Sequence, residues 1–151
     1  MLDSYEINKT TLAVLPISDT ISKVIEDENV FLISKPPIEV IDESCKYFGS
    51  SYIGRSEGTK SLLGFNYKSP IIIEEKNDLI FFPTCSPRQN SCQWISLNNI
   101  KNCIKKDNSS IIMFKSGVIL EISMSYSMLE NQLYRSRRLN DILYERINVK
   151  K

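Results

Sequence analysis

The chain has 151 residues, of which 42% are hydrophobic and 25% are charged, and its formal net charge is +1. It contains no histidine, which excludes enzymes that rely on a histidine base, including the Ser-His-Asp and Cys-His systems. The length suffices for one core or two small ones. We therefore expect a single unit over 1–151, with two subdomains at about 1–68 and 69–151 as the alternative.

Targeting segments and disulfides are not indicated. No apolar run approaches the roughly 20 residues that a membrane-spanning helix needs, and the N-terminal segment MLDSYEINKTT lacks the basic and apolar regions of a secretory signal. We expect a cytoplasmic protein whose four cysteines are mostly reduced core thiols, with disulfides as the alternative. Without histidine or a CxxC pair, the sequence does not predict a zinc site. The cysteines are Cys45, Cys85, Cys92 and Cys103.

The charge is unevenly distributed along the chain. Residues 1–43 carry nine acidic side chains and three lysines, a net charge of −6, and the remaining residues carry +7. A polyanionic partner would therefore meet the second part, while the acidic part would face away from it or cover it. An uneven but functionless surface is the alternative.

The first third of the chain predicts two strands and a short helix. TTLAVLPI (10–17) and NVFLISK (29–35) are apolar strands separated by an acidic turn at 26–29. Pro36-Pro37 stops the second strand. Apolar residues then recur at helical spacing, which predicts a helix near 38–48.

The stretch CKYFGSSYIGRSEGTKS (45–61) contains three of the five glycines. Its part 49–56 approaches a P-loop, with Arg55 in place of the lysine. A P-loop needs a preceding strand, whereas a helical pattern precedes here, so a degenerate nucleotide site is only an alternative. We predict instead a loop whose backbone N–H groups approach an anion, with Arg55, Ser50, Ser51 and Ser56 as further donors.

The middle of the chain predicts a second antiparallel group of strands. SPIIIEEKNDLIFFPT (69–84) is a hairpin around the turn at 75–78, and a polar loop follows it. QWISLNNIKNCIKK (93–106) and SIIMFKSGVILEISM (110–124) supply further strands, with a turn at Ser116-Gly117. Together with the helices, these strands predict an α+β fold.

The sequence ends on a basic amphipathic helix, predicted near 127–147. Ser127 and Glu130 form a capping box at its start. Its leucines keep one face, so Leu133 and Leu143 are expected to be buried, whereas its arginines, Arg135 and Arg138 among them, are expected to face outward. Such a helix is either a solvated outer face or a docking surface for an acidic partner protein.

Five segments in order and spacing resemble the ComK family of competence transcription factors. They are SYEIN with LAVLP, CKYFGSSYIGRSEGT, PIIIEEKNDLIFFPT, CQWISL and SYSMLENQLYR. The resemblance implies a cytoplasmic, nucleoid-associated bacterial activator without catalytic activity or cofactor. It also implies binding to AT-rich promoter boxes of competence (DNA-uptake) genes, mainly from the minor groove, by homodimers that pair into a tetramer on double-stranded DNA. Longer members continue with a tail for an adaptor–protease pair, MecA with ClpC; this sequence stops at Lys151, so we do not carry that control over.

The predicted DNA-binding residues come from the resemblance and from the physics of the minor groove. Gly49 to Thr59 match the most recognisable block of the family, and Arg135 matches the start of its last helix. The turn Ser86-Pro87-Arg88 can present a guanidinium to a narrow minor groove, and lysines such as Lys105 and Lys106 can contact phosphates. The full set is Lys46, Ser50, Ser51, Arg55, Thr59, Lys60, Arg88, Lys101, Arg135 and Arg138.

Overall fold

Within residues 1–64 and 67–149, which the computed structural model describes, the chain forms nine strands and three helices. The predicted α+β class is therefore confirmed. The elements are β1 (Thr11–Ser18), β2 (Ile21–Glu26), β3 (Val30–Ile33), α1 (Pro37–Tyr47), α2 (Tyr52–Leu63), β4 (Ile71–Glu74), β5 (Leu79–Pro83), β6 (Trp94–Ser96), β7 (Ile100–Lys106), β8 (Ser109–Phe114), β9 (Ile119–Ile122) and α3 (Tyr126–Val149).

A six-stranded antiparallel sheet combines strands from both halves of the chain, in the order β3-β2-β1-β6-β5-β4. The join is between β1 and β6, where Ala13 faces Ile95 and Val14 faces Trp94. The expectation that the strands after residue 69 form a group of their own is therefore wrong for β4 to β6. The sequence prediction also missed β2, because Lys23 and the flanking polar residues hide its short alternation of buried side chains.

Both faces of the six-stranded sheet are buried along β5 and β6. Neighbouring residues of one strand, such as Phe81 and Phe82 or Trp94 and Ile95, belong to two different hydrophobic clusters. One cluster includes α1, and the other includes the three-stranded sheet β7-β8-β9 and α3. A strand that is buried on both faces needs no polar alternation, which explains the continuous apolar run at 79–83.

The first and last helices were predicted correctly, with one correction. The predicted 38–48 is α1, and the predicted 127–147 is α3. The start of α3 is two residues earlier than the capping box implied, because the Ser125 hydroxyl accepts a hydrogen bond from the Met128 N–H at 3.3 Å. Serine hydroxyls at such positions satisfy backbone N–H groups that have no partner inside the helix.

Helix α2 occupies the segment that was predicted to be a loop, and that prediction is wrong. The Ser51 hydroxyl accepts from the Gly54 N–H at 3.0 Å, and the Asp42 carboxylate accepts from the Tyr52 N–H at 2.8 Å. Glycine disfavours a helix by about 1 kcal/mol relative to alanine, but a Cβ at Gly54 would lie only 3.2 Å from the Ser50 hydroxyl. The glycine therefore permits a close approach at the helix start.

Candidate nucleic-acid interface

A cleft with basic walls lies beside α2, and we call it the α2 cleft. It has a volume of about 730 Å³ and brings together Lys60 of α2, Lys68 and Arg88. These three residues come from separate segments of the chain. Ile53 and Tyr67 also line the cleft, and both are about two-thirds exposed. The α2 cleft thus combines positive charge with exposed apolar surface.

Arg88 lies on an exposed turn, as the sequence predicted for Ser86-Pro87-Arg88. The Gln89 N–H donates to the Ser86 carbonyl at 2.9 Å, and the Cys92 N–H donates to the Gln89 carbonyl at 3.2 Å. The Asn90 side-chain amide also donates to Asp19 at 2.8 Å, which ties the loop to the end of β1. These contacts therefore hold the backbone of the turn that carries exposed Arg88 beside the cleft.

Arg135 is buried, with 2% of its surface exposed, so the prediction that it faces outward to DNA is wrong. Its guanidinium donates to the Tyr67 carbonyl at 2.7 Å and to the Gln132 side chain at 2.9 Å. The Gln132 amide donates to the carbonyls of Lys68 and Pro83, each at 2.8 Å. Burial lowers the pKa of Arg135. These contacts, the Gln132–Arg135 network, fix the backbone that carries Lys68.

Arg55 does not line the α2 cleft. Because α2 is a helix, Arg55 projects from its first turns, and its Nη1 lies 3.2 Å from Glu75 Oε1. Only 22% of the Arg55 side chain is exposed. The prediction of an uncommitted loop arginine is therefore wrong, and this ion pair would have to open before Arg55 could contact a phosphate.

The other predicted residues near α1 and α2 serve mostly local roles. Lys46 is exposed, but its ammonium forms an ion pair with Asp42 at 2.9 Å, and the Asp42 carboxylate raises the pKa of Lys46. Ser50 is half-buried and Ser51 caps α2. Thr59 was predicted to contact DNA, but it is 1% exposed, so its side chain is covered in this structure.

Lys101 and Arg138 meet in a second cleft, which we call the α3 cleft. It has a volume of about 470 Å³ between β7 and α3, and Arg137 also lines it. Two carboxylates, Glu130 and Asp141, line the same cleft. The structure therefore separates the predicted basic residues into two places instead of one continuous surface.

Sequence reasoning missed Lys68, which lies between α2 and β4. No periodicity or motif marks it, and its left-handed backbone, with φ of 50°, is uncommon for lysine. Its position depends on hydrogen bonds from residues 64 and 67 positions later in the chain. A contact of that range leaves no local signal in the sequence.

The part of the chain that the structure describes contains neither a metal-binding cluster nor a membrane-spanning helix. Among those residues, no three Cys, Asp or Glu side chains are placed to hold a metal ion. None of the helices formed by those residues is long and apolar enough to cross a membrane. All four cysteines are free thiols.

Comparisons with known proteins give one family. The family model described as ComK protein matches residues 2–148. The chain is 38% identical over 151 aligned residues to the competence transcription factor of Bacillus subtilis (strain 168), covering 97% of this chain and 79% of that protein. No solved structure matches. Since the family model spans nearly the whole chain and the identity is well above chance, this chain belongs to the ComK protein family.

Proposed function

We propose that this protein is a non-enzymatic transcription activator of competence genes that acts in the cytoplasm and binds AT-rich boxes in double-stranded DNA. The name of the Bacillus subtilis relative supports the transcription-factor role. The observation that carries the proposed DNA surface is the meeting of Lys60, Lys68 and Arg88 in the α2 cleft. We also propose that the protein forms homodimers and that these dimers pair on DNA.

The α2 cleft suits the minor groove of an A-tract. Both A·T orientations show nearly the same acceptors there, so a protein reads groove width and potential more than a base code. A narrow A-tract groove attracts an inserted arginine, and Arg88 on its exposed turn supplies one. Lys60 and Lys68 would hold the flanking phosphates, which positions the protein without specifying sequence.

One carboxylate lies in the α2 cleft and would repel the DNA phosphates near it. Among the described residues that line the cleft, Glu57 is the only acid, and none of the acidic residues of 1–43 lies there. Repulsion by Glu57 would keep phosphates away from that carboxylate. The acidic side chains of the first part of the chain therefore do not line the proposed DNA surface.

Replacement of single arginines tests the DNA surface. We expect Arg88→Ala to weaken binding to an AT-box duplex by about tenfold, which corresponds to about 1.4 kcal/mol. Arg55→Ala should weaken it less, because Glu75 already neutralises Arg55. The matched control is Arg146→Ala, which removes an exposed arginine far along α3. Fluorescence anisotropy measures each affinity at one salt concentration.

The relative loss of affinity in Arg88→Ala and Arg55→Ala decides whether the α2 cleft is the main DNA surface. If Arg55→Ala weakens binding as much as Arg88→Ala or more, the α2 cleft is not the main DNA surface. Arg88→Lys separates charge from geometry, since lysine keeps the charge but is more strongly hydrated than a guanidinium. We expect it to retain general DNA affinity while losing the preference for AT-boxes over mixed sequence.

Groove-specific probes test which groove of the DNA the protein contacts. Distamycin, which fills the minor groove of AT-rich DNA, should compete with the protein, whereas 7-deazapurine substitution, which alters only the major groove, should leave binding intact. The opposite pair of results would show that the protein reads the major groove, and the minor-groove proposal would then be rejected.

A second function, docking of an acidic partner protein, is favoured by the α3 cleft. Lys101, Arg137 and Arg138 line it together with exposed Tyr134, and mixed basic and aromatic surfaces are common at protein interfaces. Equal affinity for AT-rich and GC-rich duplexes would favour this function. The nucleotide-binding alternative would require saturable ATP binding that depends on Arg55.

A further inference from the structure

The two cysteines that flank the Arg88 loop lie opposite each other. Strands β5 and β6 pair in the register Phe82 with Ile95 and Pro83 with Trp94. The pairing extends one step further, because the Thr84 N–H donates to the Gln93 carbonyl at 2.9 Å. The next pair in this register is Cys85 with Cys92.

The register places the two cysteines opposite each other just beyond the last regular pair. The strands are still held together at Thr84 and Gln93, since the Gln93 N–H donates to the Thr84 hydroxyl at 3.1 Å. Residues directly opposite each other in antiparallel strands have Cα atoms about 4.5–5.5 Å apart. That spacing lies inside the range of about 4.4–6.8 Å over which a disulfide can form.

The observed contacts agree with this placement. The Cys92 thiol lies 3.4 Å from the Cys85 carbonyl oxygen and donates to it. The Cys85 sulfur lies 4.0 Å from the Ser91 hydroxyl, on the same side of the loop. Cys85 is half-buried and Cys92 is 3% exposed. The Cys85 thiol is therefore accessible to a small oxidant in solution, and the Cys92 thiol lies next to it.

We propose that Cys85 and Cys92 form a reversible intramolecular disulfide when the protein meets a hydroperoxide. The disulfide closes the six-residue segment 86–91, which carries Arg88. The backbone hydrogen bonds already hold this loop in its turns, so closure needs side-chain rotation and leaves the two strands in register. This site does not depend on the proposed DNA-binding function.

The reaction balances in two steps. The Cys85 thiol gives its proton to solvent, and the thiolate attacks one oxygen of hydrogen peroxide; the O–O bond breaks, a sulfenic acid forms, and the leaving hydroxide takes up a proton from solvent to become one water. The Cys92 sulfur then attacks the Cys85 sulfur, the S–S bond forms, the S–OH bond breaks, and a second water leaves with the Cys92 proton. Burial, with the neighbouring Cys85 thiol, raises the pKa of Cys92 to about 12, so Cys85 is the thiol that attacks first.

Trypsin provides a direct test because it cleaves after Arg88, between the two cysteines. The folded protein is treated with one equivalent of hydrogen peroxide, the remaining thiols are alkylated, and the denatured chain is digested. We expect peptides 77–88 and 89–101 to appear as one linked species in most of the protein, and a phosphine reductant to separate them.

Variants distinguish this pair from the other thiols. Cys85→Ser and Cys92→Ser should each abolish the linked species, whereas Cys103→Ser, which removes a half-buried thiol on β7, should leave its yield unchanged. Circular dichroism of each variant verifies that it is folded. The proposal is overturned if wild-type protein gives Cys85 as sulfinic acid with Cys92 still alkylated, or if the only disulfides join two chains.

Discussion

Two arginines on α3, three positions apart, have opposite environments. Arg138 is exposed and lines the α3 cleft, whereas Arg135 is buried and donates hydrogen bonds to backbone carbonyls between α2 and β4. The Arg135 guanidinium also lies over the Tyr67 ring, 5.5 Å from its centroid, at a distance where a cation and an aromatic ring attract. A residue that matches the start of the family's last helix thus serves the fold of this protein.

Loss of Arg135 should destabilise the protein strongly. We expect Arg135→Ala to lower the free energy of unfolding by about 3 kcal/mol, because buried carbonyls lose charged donors and a cavity is left. The matched control, Arg138→Ala, should change it by less than about 0.5 kcal/mol, as is usual for exposed positions. Urea denaturation followed by circular dichroism measures both. Equal stability of the two variants would mean that the network contributes little.

Sequence alone could identify the basic side chains but not their surroundings. Arg135 and Arg138 belong to the same basic run RSRR (135–138), and the helical period places them on neighbouring faces, so nothing local marks one of them as buried. The burial of Arg135 results from chain segments more than 60 residues away. Arg88 was predicted correctly to lie on a turn because proline and its polar neighbours are a local signal.

At the scale of single elements, α2 depends on groups outside its own sequence. Its first turn is satisfied by the Ser51 hydroxyl and by the Asp42 carboxylate of α1. The local sequence, with two glycines among twelve residues, favours a loop. Prediction failed there because the decisive hydrogen bond to Tyr52 comes from ten residues earlier.

The Asp42 contact should make α2 sensitive to acid. The hydrogen bond from the Tyr52 N–H, with the Lys46 ammonium, lowers the pKa of Asp42 below its ordinary value. A carboxyl whose pKa is lowered by folding stabilises the protein above its ordinary pKa and loses that effect as the pH falls through the lowered value. We expect Asp42→Asn to cost about 1 kcal/mol at pH 7.

The pH dependence verifies the assignment to Asp42. The difference in stability between wild type and Asp42→Asn should shrink as the pH is lowered below about 4, where the free carboxyl protonates. Glu57→Gln, at an exposed carboxylate on α2, serves as the control and should change stability by less than about 0.5 kcal/mol at any pH. A constant difference for Asp42→Asn down to pH 2 would contradict the mechanism.

The apolar face of α3 was predicted correctly near its start but not at its far end. Leu133 is 6% exposed and Leu139 is fully buried, whereas Leu143 is only partly buried. We therefore expect Leu139→Ala to cost about 2–5 kcal/mol, as truncations in a well-packed core do, and Leu143→Ala to cost clearly less. Chemical denaturation of the pair measures the difference; a larger loss at Leu143 would mean that the helix is rotated.

For the whole molecule, the placement of charge should appear in the salt dependence of DNA binding. Each phosphate that the protein neutralises on B-form DNA contributes about 0.9 to the slope of log affinity against log salt. If Lys60 contacts a phosphate from the α2 cleft, Lys60→Ala should reduce the slope by about 1 and weaken AT-rich and mixed duplexes alike. An unchanged slope would place Lys60 outside the interface.

The strands could largely be predicted from the sequence, but their arrangement in sheets could not. Most individual strands could be predicted from short apolar runs, and the hairpin of β4 and β5 from its turn. The union of β1 with β6 could not, because these strands are about 80 residues apart and either could have paired with other edges. The α2 cleft combines the two parts of the chain, since Ile38 of α1 and Arg88 of the loop between β5 and β6 both line it.

The Gln132–Arg135 network also sets an order of events during synthesis. The backbone of Tyr67 and Lys68 acquires its fixing contacts from residues that the ribosome adds 64 to 68 positions later. At about 5–20 residues per second, the cleft wall lacks these contacts for at least about 3 seconds after Lys68 is made. A nascent or prematurely terminated chain that lacks α3 would therefore expose basic residues without the shaped surface, so that the proposed DNA binding would become available only once α3 has been translated.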